Sequence, residues 1–226
     1  MQGKTIVYDT ITVKREGGIA FDTWHQNHYV PSVLAAGQML NVQCYGSPLR
    51  ATYVAVFESN ADAAALHGAL PAPAHESIIS SERHVAAFMN QQIAPGAGDP
   101  FHEVPILYPV LFSIPPSNEN EGEKDFNAWY DEEHLGILLK SPHWPMCRRF
   151  KVHAPQAGGW THIALHYLRD LRALESKERD EARATPWRAR LAQHAWFKGD
   201  YRVLYKIGAR TGNRKIDRSP SPVQRF

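Results

Sequence analysis

The apolar and polar positions of this chain fall into blocks. Runs rich in β-branched and aromatic residues, with a period of two, alternate with stretches dense in Ala, Leu, Glu and Arg. In the first half, TIVYDTITV (5–13), MLNVQCYG (39–46), ATYVAVFES (51–59) and HVAAFMNQQI (84–93) predict strands. In the second half, VPILYPVLFSI (104–114), CRRFKVHA (147–154), WTHIALHYL (160–168) and WFKGDYRVLYKIG (196–208) do the same. Helical patterns follow the first strand of each half, at 21–31 and 126–136. They recur at 61–70 and 171–194, with Asn60 and Asp170 as candidate N-caps. Each half therefore reads β-α-β-β-α-β, the ferredoxin-like order.

The halves also match residue by residue. FDTWHQNHYVP (21–31) aligns with FNAWYDEEHLG (126–136), so Phe21 matches Phe126, Trp24 matches Trp129, His25 matches Tyr130, His28 matches Glu133 and Tyr29 matches His134. The expected organisation is one ferredoxin-like repeat over 1–95 and a second over 96–209. The Pro/Gly-rich stretch 93–105 links them, 115–125 is a polar loop, and 210–226 is an extended basic tail. The fold class is α+β, with the two sheets covering each other in an intramolecular α+β barrel. Along 160–168, Trp160, His162, Ala164 and His166 share one face, and Ile163, Leu165 and Tyr167 share the other. In the first half Tyr53, Ala55 and Phe57 oppose Val54 and Val56. The expectation is that the histidine face lines a cavity between the sheets and the aliphatic face meets the helices.

Composition narrows the function classes. Hydrophobic residues make up 43 % and charged residues 21 %, an ordinary globular balance. No apolar run is long enough to span a bilayer as a helix, and the first residues show no secretory h-region. A formal charge of +2 gives no electrostatic footprint for nucleic acid or an anionic membrane. Two unpaired cysteines, Cys44 and Cys147, suit a reducing, cytoplasmic location and inert packing. No GxSxG, P-loop or GxGxxG motif occurs. The count that stands out is histidine, at 12.

The segment FNAWYDEEHLGILLKSP, an aromatic residue followed by Trp-Tyr and a Glu-His pair, resembles the dimeric α+β barrel superfamily. Within it the likeness is to EthD-like proteins and their F-x-x-W-Y-x-x-E-H segment, here in tandem-repeat form. Residues 21–31 depart from the pattern, with His25 for the Tyr and Tyr29 for the His, which argues for one asymmetric cavity rather than two equivalent ones. The resemblance implies the fold and a choice of chemistries. The superfamily holds cofactor-free isomerases, cyclases and monooxygenases of small aromatic molecules, and tandem haem enzymes such as the chlorite dismutase-like proteins.

Four groups of residues are candidates for chemistry. His134 is the candidate proton carrier, with Glu133 or Tyr130 to orient it; i,i+4 spacing pairs Tyr130 with His134 and Trp129 with Glu133. His25, His28 and Tyr29 share a turn of the first motif, where His28 is an acid/base candidate and HxxH falls short of a zinc pattern. His162 and His166, about 7 Å apart along a strand, suit two contacts to one ligand. Arg148, Arg149 and His153 on the preceding strand offer a cation for an enolate or carboxylate, and Tyr8, Tyr53 and Tyr108 offer phenolic donors. The bland alternative is a solvated helix face, core aromatics and snorkelling arginines. The expectation is a cofactor-independent lyase, isomerase or cyclase acting on a small aromatic or keto-bearing molecule, without metal. A haem enzyme with a histidine axial ligand and a ligand carrier are the alternatives. A homodimer is the expected assembly.

Overall fold

A computed structural model describes residues 2–14, 16, 18–47, 51–115 and 121–212. The first half contributes β1 (Thr5–Val13), β2 (Asn41–Gly46), β3 (Thr52–Ser59) and β4 (Ile78–Ile93). Helix α1 between β1 and β2 has α-turns at Gly18–Trp24 and Val30–Ala36 on either side of a π-turn at His25–Tyr29. A single helical turn, α2 (Ala63–Leu66), precedes β4, and another, α3 (Pro100–Glu103), leads into the second half. The second half has β5 (Ile106–Phe112), β6 (Met146–Val152), β7 (His162–Leu168), a two-residue β8 (Asp200–Tyr201) and β9 (Leu204–Gly212). Helix α4 repeats the first-half pattern, with α-turns Glu121–Ala128 and Leu135–Leu138 around a π-turn at Trp129–His134. A 3₁₀ turn (Leu171–Glu175) and helices α5 (Lys177–Ala184) and α6 (Pro186–Leu191) cross from β7 towards β9.

Each half has the ferredoxin-like strand order, β4-β1-β3-β2 and β9-β5-β7-β6. The halves join at both edges, β4 to β6 and β2 to β9, every pairing antiparallel. Eight strands thus close into a barrel, each of the eight paired on both sides. The tandem βαββαβ reading and the barrel follow directly.

Several local expectations are corrected. The helix expected over 61–70 is confined to Ala63–Leu66, and Asp62 rather than Asn60 flanks it. Strand β4 starts at Ile78, six residues ahead of the apolar run, because its first residues pair with the end of β1 as Ile78↔Val13. The helix expected over 171–194 divides, since Pro186 cannot continue α5 and instead opens α6 beneath a Thr185 cap. Asp170 does cap the 3₁₀ turn, accepting from the Arg172 N–H. Helix α4 begins at Glu121, inside the expected polar loop, and residues 116–120 lie outside the described residues. Strand β9 runs on to Gly212, into the expected tail, whose remaining residues 213–226 also lie outside the described ones.

The larger correction concerns which face of the sheet points inward. Ile163, Leu165 and Tyr167 lie inside the barrel with Val54, Val56, Phe150 and Leu204. Ala164 packs under α4, and Tyr53, Ala55 and Phe57 pack under α1. The assignment is thus the reverse of the expected one in both halves. The reason is geometric: the interior of an eight-stranded barrel is just wide enough for side chains to fill. Aliphatic and aromatic residues fill it around the Arg148–Glu58 pair, and His162 and His166 point to the helix layer, where polar partners exist. Among the described residues no helix is long and apolar enough to cross a membrane.

Candidate functional site

The chemistry-bearing residues of the second half converge between α4 and the outer face of β5 and β7. A cavity of about 150 Å³ lies there, walled by Tyr108, Trp129, Tyr130, His134, Trp144 and His166. The mouth is framed by Arg179, Arg183 and Arg188 from α5 and α6, with Tyr201 from β8.

The π-turn sets this arrangement. An α-helix places residues i and i+4 together, whereas the wider π winding brings i+5 into contact. Trp129 therefore packs on His134, with ring centroids 4.5 Å apart, instead of facing Glu133. Tyr130 stays beside His134 at 5.0 Å. Glu133 is not among the residues that wall the cavity, and its Oε1 is buried without a protein partner. In α1 the same winding stacks Trp24 on Tyr29 at 5.5 Å.

Hydrogen bonds fix the tautomers. Trp144 Nε1–H can only donate, and it donates to His166 Nδ1 at 3.0 Å. Burial holds the His166 pKa well below its ordinary value, so the ring is neutral and its one proton sits on Nε2. That nitrogen lies 2.7 Å from the Tyr130 Oη and donates to it. The Tyr130 hydroxyl is left as a donor, and burial raises its pKa well above the ordinary value, which keeps the proton on. The face of Tyr130 carries the Arg149 guanidinium at 4.4 Å.

His134 hydrogen-bonds to the backbone of Ala182, and its Nδ1 is sealed from solvent with no protein partner. Nδ1 is thus a bare lone pair. Burial lowers the His134 pKa to about 3, with the Arg188 and Arg149 charges adding to the effect. Trp129 Nε1–H is a second sealed group without a partner. An unpaired buried acceptor and an unpaired buried donor both cost free energy, on the order of 1–3 kcal/mol each. Both residues belong to the wall of one cavity.

The remaining expected site residues lie elsewhere. His28 is exposed. His25 and Tyr53 are buried in the core under α1, and burial takes the His25 pKa down to about 4. His162 lies outside the cavity wall with its ring 5.8 Å from that of Phe126, its Nε2 3.2 Å from Glu123 and its Nδ1 2.9 Å from Thr161; burial lowers its pKa to about 4 against the pull of Glu123. Arg149 ties α4 to β6 through Asp131 at 2.6 Å and Asn127 at 2.5 Å. Arg148 points the other way, into the barrel, onto Glu58 at 2.9 Å. Tyr8 is buried in the barrel interior, while Tyr108 walls the cavity. Cys44 and Cys147 are buried thiols, Cys44 pushed up to about 11 by burial.

Strand register explains why the first half is different. Asp9 opposes Ala55 and Arg83, as Val110 opposes Ala164 and Tyr201. The equivalent of the Val110, Tyr201 and His134 positions is thus Asp9, Arg83 and Tyr29. Those three close on one another: Arg83 holds Asp9 with two bonds of 2.7 and 2.9 Å, Tyr29 donates to Asp9, and Arg83 donates to Tyr29 at 2.7 Å. A satisfied ion pair occupies one half where the other has an apolar wall and a bare imidazole.

Trp144, Arg179, Arg183, Arg188 and Tyr201 were not singled out from the sequence. The available signal was the arginine-dense run at 179–190, which reads as an ordinary solvated helix until α5 and α6 are placed over α4.

No protein-family model matches the sequence, and no curated protein does. Solved structures match along nearly the whole chain. A protein described as anthrone oxidase-like superposes with a TM-score of 0.61 at 9 % identity, covering 92 % of each chain. A protein from Fusobacterium nucleatum with a provisional monooxygenase name gives 0.54 at 11 % identity, covering 94 % of this chain and 96 % of that one. Another such protein, from Lactobacillus acidophilus, gives 0.53 at 8 % identity, covering 92 % and 96 %. The fold is the ferredoxin-like α+β barrel. At these identities the likeness establishes architecture alone.

Proposed function

We propose that this protein is a cofactor-independent enzyme that abstracts a proton next to the carbonyl of a small, single-ring substrate held against the outer face of β5 and β7. The observation carrying this reading is an aromatic cavity that His134 lines with its ring 5.0 Å from that of Tyr130, the buried His134 Nδ1 having no protein partner. A cavity of about 150 Å³ holds one benzene-sized ring.

In this mechanism His134 Nδ1 takes the proton from the carbon α to the carbonyl. The C–H electron pair becomes the new C=C bond, and the carbonyl π pair moves to oxygen as an enolate. Tyr130 donates its hydrogen bond to that oxygen, held in place by the Trp144–His166 chain. Return of the proton from imidazolium to the enolate oxygen completes a keto–enol isomerisation and restores neutral His134. Negative charge on the enolate offsets the desolvation that disfavours the imidazolium, so the base becomes strong only when the substrate is in place. The EthD-like character of residues 126–136 supports this assignment, since Trp129, Tyr130 and His134 all come from that segment.

A second reading follows from the anthrone oxidase-like neighbour: the same enolate is oxidised by dioxygen, with the first step unchanged. The proposed reading uses no haem, since the cavity is sized for one ring. About 150 Å³ is below the ~300–1,000 Å³ of sites for drug-sized ligands, and haem is at the large end of that class.

The test is phenylacetone in deuterium oxide, followed by proton NMR with an oxygen electrode on the same sample. Deuterium uptake at the benzylic carbon above background, without oxygen consumption, is the expected result. Oxygen consumed in step with ketone loss would establish the second reading. Saturable binding with neither change would make the protein a carrier and overturn both.

A further inference from the structure

The guanidinium groups packed against the barrel and those at the cavity mouth differ in their partners. Those in the interior are each paired with a carboxylate: Arg83 with Asp9, Arg148 and Arg210 with Glu58, and Arg149 with Asp131. Those at the cavity mouth are not. Arg179 donates to the Leu174 carbonyl at 2.9 Å and to the Tyr108 hydroxyl; Arg188 donates to the Arg183 carbonyl at 3.2 Å and lies 5.7 Å over Phe197. Among the described residues none of Arg179, Arg183 and Arg188 forms an ion pair, and the cavity wall contains no Asp or Glu.

Three cations gathered at one rim repel one another, and two of them, Arg179 and Arg188, are partly buried. Burial together with the neighbouring Arg183 lowers the pKa of Arg188. Arg188 also acts on His134, so the rim and the base share one field. A planar guanidinium fork matches a carboxylate in two parallel hydrogen bonds. The cavity behind it accepts one ring.

Resting on the enolisation reading above, we infer that the substrate is a single-ring aromatic compound carrying a carboxylate, with the ring in the cavity and the carboxylate on Arg183 and Arg188. The anion supplies the negative charge that the wall lacks, and it draws the His134 pKa upward on binding. The mouth arginines are substrate-positioning groups, and His134 remains the base.

Phenylpyruvate and phenylacetone test this, because they share ring and ketone and differ in the carboxylate. Isothermal titration of the wild-type protein at low salt is expected to give phenylpyruvate at least about tenfold the affinity of phenylacetone, the effect of one charge-assisted contact. Added salt shrinks that ratio. In R183Q and R188Q the ratio collapses towards one while phenylacetone affinity stays within about twofold, which separates loss of a contact from loss of the fold. Equal affinity for the two compounds in wild-type protein, no measurable phenylpyruvate binding, or an unchanged ratio in both variants would overturn the inference. Tight, arginine-dependent phenylpyruvate binding with no deuterium uptake would leave it standing and sink the enolisation reading instead.

Discussion

At the residue scale, His166 and His134 differ in whether both ring nitrogens have protein partners. His166 has a partner at each ring nitrogen, Trp144 on one side and Tyr130 on the other, and acts by holding the hydroxyl. His134 has a bare Nδ1. Tyr130→Phe removes the oxyanion donor but not the ring, and is expected to lower kcat about 10²–10³-fold with KM little changed. An unchanged kcat in steady-state assays would remove Tyr130 from the mechanism. The pH profile has a sign that follows from burial. Since the His134 pKa lies at about 3 in the free protein, the base is available throughout neutral and mildly acidic pH. The acid limb of kcat/KM is then expected to stay flat from pH 7.5 down to about 5, rather than fall near the ordinary histidine value of about 6.5. A limb near 6.5 would mean a solvated histidine does the work. The sequence displayed His134, Tyr130 and Trp129 as a group because their types and spacing are unusual on one helix. It did not display Trp144, which reaches His166 across 22 residues of chain.

At the scale of elements, two features decide the site. One is the π-turn within α1 and again within α4. One extra residue per turn replaces the Trp129–Glu133 neighbourhood with Trp129–His134, and no hydrophobic pattern announces a single wide turn. The other is the face of β7. Period-two alternation separated His162 and His166 from Ile163 and Leu165 correctly, yet alternation is symmetric and does not say which face is inside. Closure of eight strands supplies the missing fact. The helical repeat unit also shows how duplication allows divergence. In the first half the Asp9–Arg83 pair and Tyr29 occupy the equivalent positions, with Asp9 almost wholly buried. Arg83→Met is therefore expected to destabilise the fold by about 3–5 kcal/mol by leaving an uncompensated carboxylate. Chemical denaturation would measure this, and a loss below about 1 kcal/mol would show the pair to be a solvated surface contact.

At the scale of the whole molecule, the barrel is a closed wall whose interior is packed and whose outer face, at β5 and β7, borders the cavity. Buried neutral histidines then set the acid limit of stability. His25 at about 4, His134 at about 3 and His162 at about 4 all bind protons more weakly when folded than unfolded. Their contribution is fully present above about pH 6.5 and is lost as pH falls towards those values, each by up to about 1.4 kcal/mol per pH unit. Tm is accordingly expected to fall steadily between pH 6.5 and 4.5, and a constant Tm over that range would contradict the buried neutral state. The tandem organisation was legible in the sequence because both motif copies kept their aromatic anchors, Phe21 with Phe126 and Trp24 with Trp129. The location of the site was not, because it depends on helices α5 and α6 lying over α4, a contact made across some 50 residues with no local signature. In the mechanism proposed above, one half of the duplicated fold carries a single catalytic base, and the rate of deuterium uptake into phenylacetone by wild type, H134Q and H28A tests this. A fall of about 10²–10⁴-fold is expected for H134Q and a wild-type rate for the exposed H28A. A wild-type rate in H134Q, or an equal fall in both variants, would contradict it.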